Sequence, residues 1–149
     1  MRLYVGSDHA GFELKEQVRE HLEQAGHDVV DVGTHSEQSV DYPDFARQVG
    51  EAVASGDAEY GILVCGSGLG MAIAANKVDG VRAVQIMDTE MAKMSRMHND
   101  ANVVTLPGRY IKPETADAIV DTFLATAFEG GRHQGRVDKI TSMEHGTRD

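Results

Sequence analysis

Short apolar runs alternate with amphipathic segments along most of the chain. The runs are short enough for strands, and the segments between them carry apolar residues three or four positions apart, which is typical of helices. Strands are predicted over residues 3–5, 29–32, 60–65, 81–86 and 103–106. Helices are predicted over residues 12–25, 43–56, 71–75, 89–97 and 113–127.

Single helices between successive strands imply crossover connections, and hence a parallel sheet with helices on both faces. The run from Tyr60 to Cys65 is apolar almost throughout, as expected of a central strand covered on both faces. We therefore predict an α/β fold with a five-stranded parallel sheet, forming one domain over residues 1–149 with a helical tail over 132–147. In such a sheet, ligands bind outside the carboxyl ends of the strands.

Composition bears on the compartment of the protein and on the partners it can bind. The charged residues interrupt every apolar run before it reaches bilayer length, and Asp8 comes too early for a secretory signal. One cysteine makes no internal disulfide, so these features together favour the cytoplasm. The net charge of −10 argues against nucleic acid or an anionic membrane as a partner. A small anionic substrate remains compatible with this charge if a few arginines gather locally.

The richest local pattern is Cys65 followed by alternating glycines at 66, 68 and 70. Such glycines let several backbone N–H groups approach one anion, and the helix that follows adds its positive end. The same field favours a thiolate at Cys65. The alternative is a buried free cysteine beside a tight turn. Two known motifs fail here, because the spacing is G-x-G-x-G after the third strand and Met71 stands where a cysteine phosphatase needs arginine.

Asp8 and His9 follow the first strand, with Ala10-Gly11 allowing close approach of a ligand. The alternative is that Asp8 or Ser7 caps the first helix. A metal site needs three or four convergent ligands, and seven scattered histidines with one cysteine predict none.

His98 closes the helix before the fifth strand and is suited to proton transfer near neutral pH. It follows a helix rather than a strand, so a loop must bring it round to the carboxyl edge of the sheet. Its alternative role is a helix-terminal cation.

Arg132 and Arg136 lie one helical turn apart and form a basic cluster with His133. The forked donors of arginine suit phosphate oxygens. The alternative is a solvated helix on which Glu129 or Asp138 pairs with these charges.

Six segments occur together in one order: Gly6-Ser7-Asp8-His9-Ala10-Gly11-Phe12, Asp41-Tyr42-Pro43, Cys65-Gly66-Ser67-Gly68-Leu69-Gly70, Ala74-Ala75-Asn76-Lys77, Ser95-Arg96-Met97-His98-Asn99-Asp100-Ala101-Asn102 and Gly131-Arg132-His133-Gln134-Gly135-Arg136. With them the chain resembles the ribose-5-phosphate isomerase B family, which also holds the galactose-6-phosphate isomerase subunits. The likeness runs from residue 2 to about residue 145.

The resemblance implies an aldose–ketose isomerase that interconverts ribose 5-phosphate and ribulose 5-phosphate without metal or cofactor. It implies a Rossmann-like three-layer fold and a homodimer with active sites near the subunit interface, a homotetramer being the alternative. Isomerisation of allose or galactose 6-phosphate is a rival function, as is a sugar-phosphate-binding regulator without activity. An intact Cys65 and His98 argue against the regulator, which needs no base.

Site residues carry over from the family motifs. Cys65 would be the base that moves a proton between C1 and C2, and His98 would open the furanose ring with help from Asp8. A second subtype uses glutamate at the position of Met71, so this chain resembles the cysteine subtype. The remaining predicted substrate contacts are the backbone of Gly66, Ser67, Gly68, Leu69 and Gly70 for the enediolate, Asn99 for the sugar, and His9, Arg109, Arg132 and Arg136 for the phosphate.

Overall fold

The computed structural model describes residues 1–144, which form five strands and six helices. The strands are β1 (Arg2–Ser7), β2 (Asp28–Asp31), β3 (Tyr60–Cys65), β4 (Ala83–Gln85) and β5 (Val103–Pro107). The helices are α1 (Phe12–Gln24), α2 (Tyr42–Ala54), α3 (Leu69–Ala75), α4 (Thr89–Asn99), α5 (Pro113–Ala125) and α6 (Arg132–Ser142). All strand pairs are parallel, in the order β2-β1-β3-β5-β4.

Helices cover both faces of the sheet. Helices α1, α4 and α5 pack on one face, and α2 and α3 pack on the other. Ile62 contributes to the first core and Leu63, its neighbour in β3, contributes to the second, and both are fully buried. This two-sided burial explains why β3 lacks polar alternation. The predicted three-layer α/β/α fold is confirmed.

The sheet order creates a crevice beside β1 and β3. From β1 the chain crosses to β2 on one side, and it then returns to form β3 on the other side. Such a reversal leaves a gap between the helices at the carboxyl ends of the two strands, where ligands bind in open α/β sheets. Ser7 is in register with Val64, so Asp8 and Cys65 follow side by side.

The last described helix is shorter than predicted. Helix α6 covers Arg132–Ser142 and packs against α4, whereas the predicted tail ran to residue 147, and residues 145–147 lie outside the described part of the chain. The strand predicted over residues 81–86 is limited to Ala83–Gln85. None of the helices formed by residues 1–144 has the length and apolar character needed to cross a bilayer.

Candidate active site

A cleft of about 390 Å³ opens at the carboxyl ends of β1 and β3. It gathers predicted site residues from three separate parts of the sequence, because the ends of β1, β3 and β5 meet there. The residues of this lining that matter for chemistry are Asp8, His9, Tyr42, Cys65, Gly70 and Arg109.

Cys65 is the last residue of β3, and its side chain contributes to the wall of the cleft. The residue is only 5% exposed, and its Sγ accepts a hydrogen bond from the backbone N–H of Gly68 at 3.2 Å. A donor aimed at sulfur stabilises the thiolate more than the neutral thiol. Cys65 is therefore a largely desolvated group that faces the cleft and has a built-in partner for its charged form.

Side-chain hydrogen bonds to backbone carbonyls fix the glycine loop, residues 66–70. Gly68 has φ +75°, a left-handed conformation that glycine adopts without strain, and it caps α3. The carbonyl of Ser67 accepts from Gln85 Nε2 at 3.0 Å, and the carbonyl of Gly68 accepts from Thr105 Oγ1 at 2.7 Å. The first N–H groups of α3 have no carbonyl partner within the helix. Backbone donors at this end of the loop are thus oriented in advance for a developing anion.

Tyr42 is a cleft residue to which the sequence assigned no role. It begins α2 and is 38% exposed, and a Cβ on Gly70 would lie 2.6 Å from its ring. The ring therefore rests on the glycine loop, and the absence of a side chain at Gly70 makes room for it. The signal was present in Asp41-Tyr42-Pro43, one of the segments that carry the family resemblance.

Asp8 stabilises the turn before α1 and contributes to the cleft wall at the same time. Its Oδ1 accepts the N–H of Gly11 at 3.0 Å, and the residue is 7% exposed. Gly11 is itself the N-cap of α1, and no side chain caps that helix. A Cβ on Gly11 would lie 2.4 Å from the carbonyl oxygen of Val64, so the helix start sits directly against the end of β3.

His9 and Arg109 supply donors at the outer part of the cleft. The Nδ1 atom of His9 accepts the backbone N–H of Val40 at 3.2 Å, so the neutral ring carries its proton on Nε2. Arg109 is exposed, its backbone N–H donates to the Gly66 carbonyl at 3.0 Å, and its side chain lies against Gly66. Within residues 1–144, no carboxylate forms an ion pair with its guanidinium. Both residues are placed to receive an anion.

His98 lies near the amino end of β5, whereas Cys65 lies beside the carboxyl end of that strand. Helix α4 runs back from the carboxyl end of β4 and ends at Asn99, just before β5 begins. Cys65 is in register with Pro107, at the far end of β5. The four steps from Val103 to Pro107, at about 3.3 Å each, separate the two ends of β5 by roughly 13 Å. The expectation that a loop brings His98 round to the carboxyl edge is therefore not met within one chain.

A second basic group surrounds His98. Its ring stacks on that of His133, with centroids 4.3 Å apart and planes at 13°. The pKa of His133 is lowered, first by burial and then by the nearby charges of His98 and Arg132. Arg132 and Arg136 are exposed on α6, and Asp138 accepts a hydrogen bond from Gln134 at 2.8 Å. The alternative that Glu129 or Asp138 pairs with this cluster is met in part, since Glu129 Oε1 lies 3.9 Å from His133 Nε2. Within residues 1–144, neither arginine forms an ion pair with a carboxylate.

Asn99 follows His98 at the end of α4 and does not line the cleft that contains Cys65. It borders a separate hollow of about 630 Å³ near the amino ends of β4 and β5, together with Asn76 and Arg82. The structure thus divides the predicted site residues between the carboxyl ends and the amino ends of the strands.

Three potential metal ligands lie close together near the amino ends of the strands. The expectation that the histidines are scattered is therefore wrong for two of them. One ligand atom from each of His98, Glu129 and His133 lies within 4.8 Å of the other two. The lone pairs of imidazole lie in the ring plane, so two stacked rings do not aim at a common point. The arrangement suits ring contact rather than shared ligation.

Arg96 fixes the end of α4, which carries His98, and the sequence assigned it no role of its own. It is 4% exposed and donates to Asp100 Oδ1 at 2.8 Å and to the Ala101 carbonyl at 2.6 Å. Its Nε also donates to the Thr126 carbonyl at 3.1 Å. A buried arginine that bonds several chain segments holds the end of α4 rigidly.

The sequence matches the family described as Ribose/Galactose Isomerase over residues 3–140. The chain belongs to this family. Among curated members of the ribose/galactose isomerase family, ribose-5-phosphate isomerase B of Escherichia coli (strain K12) is 47% identical over 143 residues, which is 96% of each chain.

Solved structures of the ribose/galactose isomerase family agree with the fold. A ribose 5-phosphate isomerase from Thermotoga maritima superposes with a TM-score of 0.94 at 51% identity, covering 95% of this chain and 98% of that one. Ribose-5-phosphate isomerase B from Mycoplasma genitalium, solved with bound ribulose 5-phosphate, gives 0.93 at 42% identity and covers 98% and 97%. The similarity covers almost the whole of each chain, including the strands and helices that form the cleft.

Proposed function

We propose that this protein is an aldose–ketose isomerase that interconverts D-ribose 5-phosphate and D-ribulose 5-phosphate in the pentose phosphate pathway. The observation that carries the proposal is the Cys65 thiol, which faces the cleft and accepts an N–H from the glycine loop. Membership of the family and the ribulose 5-phosphate bound to the Mycoplasma genitalium relative support the substrate.

Cys65 acts as the base in this mechanism. Its thiolate takes the proton from C2 of the open-chain aldose and returns it to C1, while a proton passes from O2 to O1. The enediolate formed between these steps carries negative charge on oxygen. Backbone N–H groups of the 66–70 loop stabilise it, apart from those of Gly68 and Leu69, which donate to Cys65 Sγ and Ser67 Oγ. Loss of one such preorganised donor costs about 3 kcal/mol in comparable sites. Side chains and amides supply every group the reaction needs, so the proposal includes no metal or cofactor.

Ring opening requires His98, which we infer comes from a second copy of the chain. His98 and Cys65 lie on opposite edges of one sheet, so one chain does not place both groups on one sugar. Exposed apolar side chains of the glycine loop and of α3 support an interface there, with Leu69 at 56% and Ile73 at 65% exposure. A homodimer pairs each cleft with His98 and Asn99 of the partner subunit, and a homotetramer of such dimers is the alternative.

The phosphate binds at the outer end of the cleft in this proposal. His9 and Arg109 line it from one chain. Arg132 and Arg136 of the partner subunit complete the site, since they stand beside His98. In this arrangement Arg109, Arg132 and Arg136 supply positive charge in a chain of net charge −10, and His9 adds a hydrogen-bond donor. Binding energy from the phosphate then aligns the sugar at the reacting carbons.

Removing both arginines tests the phosphate role. The double variant Arg132→Ala with Arg136→Ala is expected to raise KM for ribose 5-phosphate about a hundredfold or more, because each charge-assisted bond contributes about 1.5–3 kcal/mol. Initial rates of ribulose 5-phosphate formation measure the effect. Unphosphorylated ribose is the control substrate, and its KM should hardly change. An equal rise for ribose would mean that these arginines do not bind the phosphate.

Substrate choice decides between the proposal and its rivals. Purified protein is assayed with ribose 5-phosphate, allose 6-phosphate and galactose 6-phosphate at equal concentrations. The proposal expects the highest kcat/KM for the pentose. A preference for a hexose 6-phosphate would assign the rival isomerase activity, and tight binding of all three without turnover would indicate a regulator. We place the reaction in the cytoplasm, where a single unpaired cysteine stays reduced.

A further inference from the structure

One peptide group links Gln85 to the sulfur of Cys65. The carbonyl of Ser67 accepts a hydrogen bond from Gln85 Nε2 at 3.0 Å. The N–H at the other end of the same peptide belongs to Gly68, and it donates to Cys65 Sγ at 3.2 Å. This peptide is trans, so its carbonyl and its N–H point in opposite directions. Fixing the carbonyl therefore fixes the direction of the N–H.

Gln85 is well placed to hold this peptide. It ends β4 and is in register with Thr105 in the neighbouring strand, which gives its backbone a rigid position. Its Cγ lies 3.0 Å from the point where a Cβ on Gly68 would stand, so the side chain packs directly against the loop. A donor on a carbonyl also polarises the whole amide and strengthens the hydrogen bond made by its N–H.

We propose that Gln85 is a positioning residue that aims the Ser67–Gly68 amide at the Cys65 sulfur and thereby favours the thiolate. Gln85 acts through the peptide and does not itself touch the reacting carbons. The inference rests on the proposed function only in that the thiolate is the base. The ionisation effect itself is measurable without any substrate.

The next peptide in the loop provides a matched control. The carbonyl of Gly68 accepts from Thr105 Oγ1 at 2.7 Å, and the N–H of that peptide, on Leu69, donates to Ser67 Oγ at 3.2 Å. Thr105→Val therefore removes a buried bond to the same loop but leaves the Gln85 bond that orients the Ser67–Gly68 peptide. A general loosening of the loop would affect both variants, whereas loss of the aimed amide affects only the Gln85 variants.

The test is the pH dependence of alkylation of Cys65 by iodoacetamide in the full-length protein. This cysteine is the single thiol in the sequence, so the rate reports on it alone. Gln85→Met is expected to slow alkylation about fivefold near neutral pH and to move the rate curve to higher pH, since the thiolate loses stabilisation. At alkaline pH the rates should converge with wild type, which separates ionisation from access. Thr105→Val should follow the wild-type curve.

A second Gln85 variant of nearly the same size separates loss of the hydrogen bond from a change in packing. Gln85→Glu keeps the side-chain length, but its carboxylate donates no bond and adds negative charge, so it should slow alkylation more than Gln85→Met does. Curves for both Gln85 variants that superimpose on wild type, or an equal shift in Thr105→Val, would overturn the inference. Full isomerase activity of Cys65→Ala together with a shifted Gln85→Met curve would leave the inference intact and remove the proposed base.

Discussion

Cys65→Ala is expected to lower kcat for ribose 5-phosphate about a thousandfold, within the range that loss of a general base produces. KM should stay within a few fold, because the phosphate and sugar contacts remain. The residue is 5% exposed and small, so alanine fits the same place at the end of β3. Stopped assays of ribulose 5-phosphate formation measure the loss, and calorimetric titration with substrate checks that binding survives.

The preceding residue supplies the control for this variant. Val64 is fully buried and points to the opposite face of β3, so Val64→Ala removes more packing than Cys65→Ala but no acid–base group. It should lower the free energy of unfolding by about 1 kcal/mol or more and leave turnover largely intact. Wild-type activity in Cys65→Ala, or an equal loss in Val64→Ala, would remove Cys65 from the mechanism.

Mixing two inactive variants is expected to restore activity. If each site combines Cys65 of one chain with His98 of the other, Cys65→Ala and His98→Ala are both inactive alone. Random reassortment of equal amounts makes half of the dimers mixed, and each mixed dimer has one intact site of two, so about a quarter of wild-type activity returns. The variants are unfolded together, refolded and assayed against each variant refolded alone.

Two variants from the same cleft provide the matching control. Cys65→Ala and Asp8→Ala both alter groups of one cleft wall, so no mixed dimer of these two has an intact site, and activity should stay absent. Affinity tags on each variant verify that mixed dimers form. Mixed dimers of Cys65→Ala and His98→Ala that remain inactive would contradict the division of the site between chains.

The sequence predicted the elements better than their arrangement. The run from Tyr60 to Cys65 matches β3 at both ends because its burial on two faces leaves an uninterrupted apolar pattern. The strand predicted over 81–86 shrank to Ala83–Gln85, since an edge strand pairs on one side and its length depends on β5. The strand order has no local signal, because it follows from which helix packs on which face.

The candidate site was predictable where a residue follows a strand directly. Asp8 and Cys65 met as expected, since they follow adjacent parallel strands. His98 follows a predicted helix, so no strand end fixed its position, and the expectation that a loop brings it to the carboxyl ends of the strands is not met within one chain. Tyr42 and Gln85 reach the glycine loop from distant parts of the chain, and contacts of that kind arise only from tertiary packing.

The close approach of Gly11 to Val64 fixes where the cleft is open. A Cβ at Gly11 would overlap the carbonyl oxygen of Val64, so the start of α1 packs directly against the end of β3. Asp8 and Cys65 therefore stand on one continuous inner wall. Tyr42 and Tyr110 border the cleft and are 38% and 68% exposed, so an arriving sugar meets aromatic rings before it meets the carboxylate and the thiol.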